Sequence, residues 1–201
     1  MYEYLKGILI EKSPTRAVID VQGVGYDVRI PVSTFSKLPA LGDPVKLLAH
    51  LIVREDLEQI YGFYTYEERD LFRLLISISG IGPKLGVTML SGMTVQELKQ
   101  AIIQGAVPTL TTIPGIGRKI AERVVVQLRE KVALEEANLS LTSSTSNQDE
   151  AIMNDSIRAL LELGYKKQDS RTALQKAWKE LETGGAKPSI SELVRKSLKY
   201  V

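Results

Sequence analysis

The sequence SGIGPKLGVTML, from Ser79 to Leu90, recurs in altered form as PGIGRKIAERVV, from Pro114 to Val125. In each copy two glycines flank an isoleucine, and a lysine stands two positions after the second glycine, at Lys84 and Lys119. Apolar residues at helical spacing surround both copies, so each copy predicts two helices joined by a glycine turn. A unit that is written twice indicates that the molecule uses the same local structure twice.

The chemistry of this turn suits a phosphate. Glycine permits positive φ and lets another group approach the backbone closely. Free amides at the start of the following helix, together with the helix dipole, favour an anion, and Lys84 and Lys119 stand within reach of it. A turn of this kind could instead simply join two packed helices, since glycine is common at helix ends. Two copies with a lysine at the same offset favour the hypothesis that each copy grips one backbone of a DNA duplex, without reading bases.

Nucleotide-binding loops are a poorer match. The turns lack the Gly-Lys-Ser/Thr ending of a Walker A loop. The dinucleotide fingerprint requires a third glycine where Leu85 and Ile120 stand, and a preceding strand where the first copy has a helix. Both nucleotide interpretations therefore fail.

Charge and composition narrow the function further. Residues 71–132, which contain both turns, carry eight Lys or Arg against three Asp or Glu, within a chain whose net charge is only +2. This basic segment suits a polyanionic partner. The absence of cysteine and the single histidine, His50, argue against disulfides, Cys-based zinc and His-pair metal sites, so we expect no metal site. No long apolar run or signal peptide is visible, so we expect a cytoplasmic protein without membrane contact.

Changes in periodicity divide the chain into four parts and predict a multidomain β + α fold. Residues 1–64 alternate like five short strands, which fits an OB-type barrel, although the pattern fits an SH3-like barrel nearly as well. Residues 65–134 have helical spacing with glycine turns and predict a domain of several short helices that contains both turns. Residues 135–149 lack Lys and Arg and predict a flexible linker, and residues 150–201 predict a three-helix bundle.

Five segments together give a specific resemblance. They are VQGVGYDV, VREDLEQIYGF, SGIGPKLGVTMLSGM, IPGIGRKIAERVVVQL and LLELGY. Their order and content resemble the RuvA family of bacterial Holliday-junction-binding proteins over nearly the whole chain. Helix-hairpin-helix motifs alone occur in many repair proteins, but their combination with VRED and LGY is specific.

The resemblance implies a fold, partners and a role. The fold is an OB barrel, a tandem helix-hairpin-helix domain and a mobile bundle similar to ubiquitin-associated domains. The assembly is a homotetramer, with one or two tetramers on a four-way DNA junction that is held open and planar. The partners are the hexameric ATPase RuvB and the resolvase RuvC. The chain itself would be non-catalytic and without cofactor, because the motor uses the ATP and Mg.

The resemblance also implies site residues. The residues that would contact DNA phosphates are Gly80, Gly82, Lys84, Gly115, Gly117, Arg118, Lys119 and Arg123. An acidic pin at the junction centre would be Glu55 and Asp56, which repel phosphates. Such a pair could also be an ordinary polar turn or, more weakly, a Mg²⁺ site.

A contact with the motor would involve the end of the first bundle helix. The apolar residues there are Leu160, Leu161, Leu163 and Tyr165, for which burial in the bundle core is the alternative.

Two other classes of function remain open from the residues alone. A hairpin-based glycosylase or nuclease would need a Lys–Asp pair or a carboxylate cluster after the second turn, and AERVVVQLREKV offers neither. A scaffold whose hairpins merely pack would not bind DNA. Binding to a four-way junction, compared with a linear duplex, separates these classes.

Overall fold

The structure is a computed structural model that describes residues 2–55, 57–144, 148–182 and 188–201. It divides into two compact units, one up to Glu136 and one from Ala137 onward. Among the described helices, none is both long and apolar enough to cross a membrane.

The first unit begins with a closed β-barrel. Its strands are β1 (Tyr4–Ser13), β2 (Arg16–Val21), β3 (Val24–Arg29), β4 (Pro44–Arg54) and β5 (Leu57–Phe63), with the short helix α1 (Val32–Phe35) between β3 and β4. The strands close in the order β1-β2-β3-β5-β4, with β3 and β5 parallel and the other pairs antiparallel. This arrangement confirms the OB-type barrel over the SH3-like alternative. Alternate residues such as Leu9, Ile19 and Val28 fill its interior.

Five helices follow and carry the two turns. They are α2 (Tyr66–Ile76), α3 (Pro83–Gly92), α4 (Val95–Gln104), α5 (Val107–Leu110) and α6 (Arg118–Ser144). The Thr65 hydroxyl caps α2 by accepting from the Glu68 amide. Thr94 and Glu97 form a capping box at the start of α4.

The barrel and the helices share a core. Phe72 on α2 stacks against Tyr61 at 5.3 Å and lies 4.8 Å from Phe63, both on β5. A buried hydrogen bond crosses the same boundary, because the Thr34 hydroxyl of α1 donates to the Glu68 carboxylate of α2 at 2.8 Å. The first unit is therefore one packed body in which the barrel fixes α2.

An ion pair adds to this boundary. Arg69 of α2 is almost fully buried, and its guanidinium donates to the Glu3 carboxylate and, at 3.3 Å, to the Glu3 carbonyl. The hydrogen bond from Arg69 lowers the pKa of Glu3 below its ordinary value of 4.5.

The second unit contains three packed helices, as predicted. They are α7 (Gln148–Glu162), α8 (Lys167–Glu182) and α9 (Ile190–Ser197). Their shared core consists of Ile157, Leu160, Leu174, Ala177 and Leu193. Ser189 and Glu192 form a second capping box, at the start of α9.

The predicted linker differs from the structure in its backbone. Instead of irregular chain over 135–149, α6 continues to Ser144 and α7 begins at Gln148, while 145–147 lie outside the described residues. The first part of this extension has a local physical reason, since the stretch Ala133–Ala137 reads ALEEA and its alanine, leucine and glutamate are strong helix formers. The polar composition concealed that propensity. The domain boundaries and the flexibility of this segment stay predictions.

Candidate nucleic-acid interface

The two glycine turns have the same backbone conformation. The first glycine of each turn is left-handed, with φ of +95° at Gly80 and +87° at Gly115. This left-handed conformation costs a residue with a Cβ about 1–2 kcal/mol of conformational free energy. The repeated glycine is therefore required by the turn itself.

The isoleucines anchor the turns. Ile81 and Ile116 are each only 4% exposed and belong to the core of the first unit. The Ile81 amide donates to the Ile78 carbonyl at 3.0 Å, and the Ile116 amide donates to the Ile113 carbonyl at 3.1 Å. Both isoleucines therefore pack inward, into the core of the first unit.

The second glycine of each turn opens a helix. Gly82 is the N-cap of α3, with Pro83 at the first helical position, and Gly117 directly precedes Arg118 of α6. The Gly82 and Gly117 carbonyls each accept a helix-opening bond at 3.0 Å. The amides of a first helical turn have no acceptor within their own helix, and the helix dipole makes this end attractive to an anion. A Cβ at either glycine would meet no described heavy atom within 4 Å. Both helix ends can therefore be approached closely.

Cations surround the two helix ends. Lys84 on α3 and Lys119 on α6 are exposed at equivalent positions of the repeat. Arg118 is also exposed and forms an ion pair with Glu122 at 2.8 Å. Exposed lysines beside open helix starts form a surface that is complementary to phosphate.

The two hairpins touch each other at their turns. Arg123 on α6 donates from Nη1 to the Ser79 carbonyl of the first turn at 2.5 Å. The same Nη1 lies 3.3 Å from where a Cβ on Gly80 would be. In the other direction, Leu85 Cδ1 of α3 lies 3.2 Å from where a Cβ on Gly115 would be. Each turn is thus contacted by a helix of the other hairpin, so the two turns lie side by side.

The predicted acidic pin falls on the β4–β5 hairpin. Arg54 pairs with Leu57, so Glu55 lies at the turn between them and is exposed. Val53 and Leu57 beside it are exposed as well. Asp56 lies outside the described residues.

Comparison with known proteins agrees with this architecture. Three protein-family models match the chain. The family described as RuvA N terminal domain matches residues 1–62, the family described as SAM-like Helix-hairpin-helix tandem matches residues 72–130, and the family described as RuvA, C-terminal domain matches residues 151–201. A protein of Prosthecochloris aestuarii is 39% identical over 201 residues, covering 100% of this chain and 98% of the relative. A protein of Delftia acidovorans is 45% identical over 172 residues, covering 86% of this chain and 87% of the relative. The chain belongs to the RuvA family. Both relatives are named Holliday junction branch migration complex subunit RuvA.

In the C-terminal bundle of this RuvA-family chain, one of the predicted partner-binding residues is wrong. Leu160 is fully buried among the three helices, so it belongs to the core and not to a partner-binding surface. It lies three residues after Ile157 and therefore on the same inward face of α7. Leu161, Leu163 and Tyr165 are exposed, with Leu163 at 60%.

The surroundings of His50 indicate a structural role. It is partly buried on β4, meets Phe72 edge-on at 5.6 Å and accepts a hydrogen bond from Arg73 Nε at 3.4 Å. Burial, followed by the charges of Arg73 and Arg69, lowers the pKa of His50. These surroundings therefore favour the neutral imidazole.

Sequence reasoning missed the contacts between the hairpins. Ser79 and Leu85 were not predicted as site residues, and Arg123 was assigned to phosphate without its bond to Ser79. The only available signal was the position of Ser79 and Leu85 inside the repeat, which does not say what they touch.

Proposed function

We propose that this chain is a non-catalytic DNA-binding subunit that recognises four-way junctions independently of sequence and acts in branch migration during recombination and repair. The observation that carries the proposal is the pair of matched turns, side by side, each with an open helix start and an exposed lysine at the same offset. Two such sites suit the two phosphate backbones on either side of a groove. They offer phosphate contacts rather than base contacts, so binding is sequence-independent and strongly salt-dependent.

The junction-specific part of the proposal needs more than one copy of the chain. A homotetramer would present four turn pairs, one for each arm of an open planar junction, with one or two tetramers on each junction. Glu55 and Asp56 would act at the centre, where carboxylates repel phosphates that crowd together. Membership of the RuvA family and the names of the relatives support this proposal.

The partners follow from the same proposal. The C-terminal bundle recruits the hexameric ATPase RuvB through its exposed apolar residues Leu161, Leu163 and Tyr165. The motor supplies the ATP and Mg chemistry, so this chain requires no cofactor of its own. The resolvase RuvC acts on the same junction, and all of these steps take place in the cytoplasm.

The test compares a synthetic four-way junction with a linear duplex of the same arm sequences by fluorescence anisotropy over a series of salt concentrations. We expect tighter binding to the junction and equal affinity when the arm sequences are permuted. Lys84→Ala or Lys119→Ala should weaken binding to every sequence alike and lower the salt slope by about one for each lost phosphate contact.

A matched control is Lys176→Ala, which removes an exposed lysine from the C-terminal bundle, far in sequence from both turns. It should leave affinity and slope nearly unchanged. Equal affinity for junction and duplex would contradict junction recognition. A lysine variant that loses affinity for one sequence only would contradict the phosphate grip.

A further inference from the structure

Arg123 holds the first turn from the second hairpin. Its guanidinium reaches across 44 residues of sequence to the Ser79 carbonyl, with a distance of 2.5 Å between Nη1 and the oxygen. Leu85, on the helix that follows the first turn, lies in turn against Gly115. These reciprocal contacts link the two turns directly.

The hydrogen bond from Arg123 restrains the peptide group between Ser79 and Gly80. The Ser79 carbonyl and the Gly80 amide belong to one planar trans peptide, in which C=O and N–H point in opposite directions. Anchoring the carbonyl therefore orients the peptide that leads into Gly80, whose φ is +95°. The conformation of Gly80 in turn sets the direction from which Gly82 and the first amides of α3 face solvent.

The two copies of the motif restrain their turns by different means. The position equivalent to Ser79 in the second copy is Pro114, whose ring fixes its own φ near −65°. The position equivalent to Arg123 in the first copy is Thr88, whose hydroxyl donates to the Lys84 carbonyl of its own helix at 3.0 Å. The second turn thus has a restraint within its own sequence, while the first turn has a serine there and receives its restraint from Arg123.

We infer that Arg123 is a positioning residue, which fixes the first turn through the Ser79 carbonyl and sets its spacing from the second turn. Its effect on DNA then comes through the phosphate site at Gly82 and Lys84. The effect on DNA rests on the proposed function, whereas the restraint is a property of the free protein. The two can therefore fail separately.

The first experiment needs no DNA. The Ile81 amide, which is bonded within the first turn, reports whether that turn is held, and the Ile116 amide reports on the second turn in the same sample. In full-length Arg123→Ala, hydrogen exchange measured by NMR should be faster at Ile81 and unchanged at Ile116. Unchanged exchange at Ile81 would overturn the inference even if the protein binds DNA as proposed.

The second experiment is a rescue. Arg123→Ala should weaken junction binding about tenfold, which is near the lower end for losing a hydrogen bond to a charged group. Adding Ser79→Pro gives the first turn the restraint that Pro114 provides in the second, and should restore most of the affinity and the wild-type salt slope. A phosphate contact by Arg123 itself could not be restored in this way. A folded double variant that stays weak, with a salt slope lower by about one, would overturn the inference.

A third measurement decides the matter if Ser79→Pro does not fold. In a double-mutant cycle, Arg123→Ala should cost less affinity in a Lys84→Ala background than in the wild type, because both changes weaken the same phosphate site. Additive losses would mean that Arg123 acts independently, and would overturn the inference. A wild-type protein that binds no DNA would instead contradict the proposed function, and the exchange experiment would still test the restraint.

Discussion

Alanine at the second glycine of each turn should separate folding from DNA binding. Gly82 has φ of −83° and ψ of 169°, which any residue can adopt, and a Cβ there meets no described heavy atom within 4 Å. Alanine is a poorer N-cap than glycine, but it also restricts the unfolded chain, which stabilises by about 0.4–1 kcal/mol. These terms oppose each other. Gly82→Ala should therefore change the free energy of unfolding by less than about 1 kcal/mol.

DNA binding should respond quite differently. The space beside Gly82 is where a phosphate must approach to reach the first amides of α3, and a methyl group there would hold it away. Losing a charge-assisted contact of this kind costs about 1.5–3 kcal/mol, or roughly 10- to 150-fold in affinity. Gly117→Ala should behave in the same way, because its Cβ would also point into open space among the described residues.

Gly80→Ala is the contrasting variant. Its φ of +95° makes alanine costly by about 1–2 kcal/mol, and the new Cβ would lie 3.3 Å from Arg123 Nη1. Urea unfolding followed by circular dichroism should therefore detect Gly80→Ala clearly and Gly82→Ala barely. Anisotropy with a four-way junction should show weaker binding for both. If Gly82→Ala and Gly117→Ala bind the junction as tightly as the wild type, no phosphate approaches these helix ends and the proposed site is wrong.

Three further outcomes are expected. Glu55→Gln combined with Asp56→Asn should tighten DNA binding in anisotropy while reducing the preference for junction over duplex, and an unchanged preference would rule out the pin. The hydrogen bond from Arg69 lowers the pKa of Glu3 in the folded protein. Glu3 therefore stabilises the fold above about pH 4.5, and this contribution is lost as the pH falls through the lower pKa of the folded state. Glu3→Gln should therefore flatten the pH dependence of the urea midpoint as the pH falls below 4.5, and a curve parallel to the wild type would contradict this. Leu160→Ala should destabilise the bundle by about 2–5 kcal/mol, because Leu160 is fully buried. Leu163→Ala should leave the melting temperature of the bundle unchanged and reduce stimulation of the ATPase motor. Equal shifts of the melting temperature in the two variants would contradict the assigned burial.

Features that depend on a few neighbouring residues were predictable from the sequence. The capping boxes at Thr94 and Ser189 need only the residue three positions later. The two glycine turns were visible because the same short pattern occurs twice. The barrel strands followed from alternation, although alternation alone could not choose between two barrel types. The choice depends on which strands pair, and the parallel contact between β3 and β5 is a long-range property.

The features that the sequence did not predict depend on contacts with distant parts of the chain, or on helix propensity competing with a polar composition. The side of α7 that Leu160 occupies is decided by α8 and α9, since both Leu160 and Leu161 are apolar. The bond between Arg123 and Ser79 joins two hairpins and has no local signature. The continuation of α6 through ALEEA, Ala133–Ala137, reflects helix propensity prevailing over a polar composition that is typical of linkers.

The packing of the barrel positions the two exposed turns at which we propose that phosphates bind. Helix α2 is fixed near its start by the buried Thr34–Glu68 hydrogen bond and along its length by Phe72, and its other end leads directly into the first turn. Arg123 then connects the first turn to the second. The position of both turns is thereby determined by the folded barrel and not by the turns alone. Binding sites that are already ordered lose less entropy when the ligand arrives, so this packing would raise the affinity of the proposed phosphate sites.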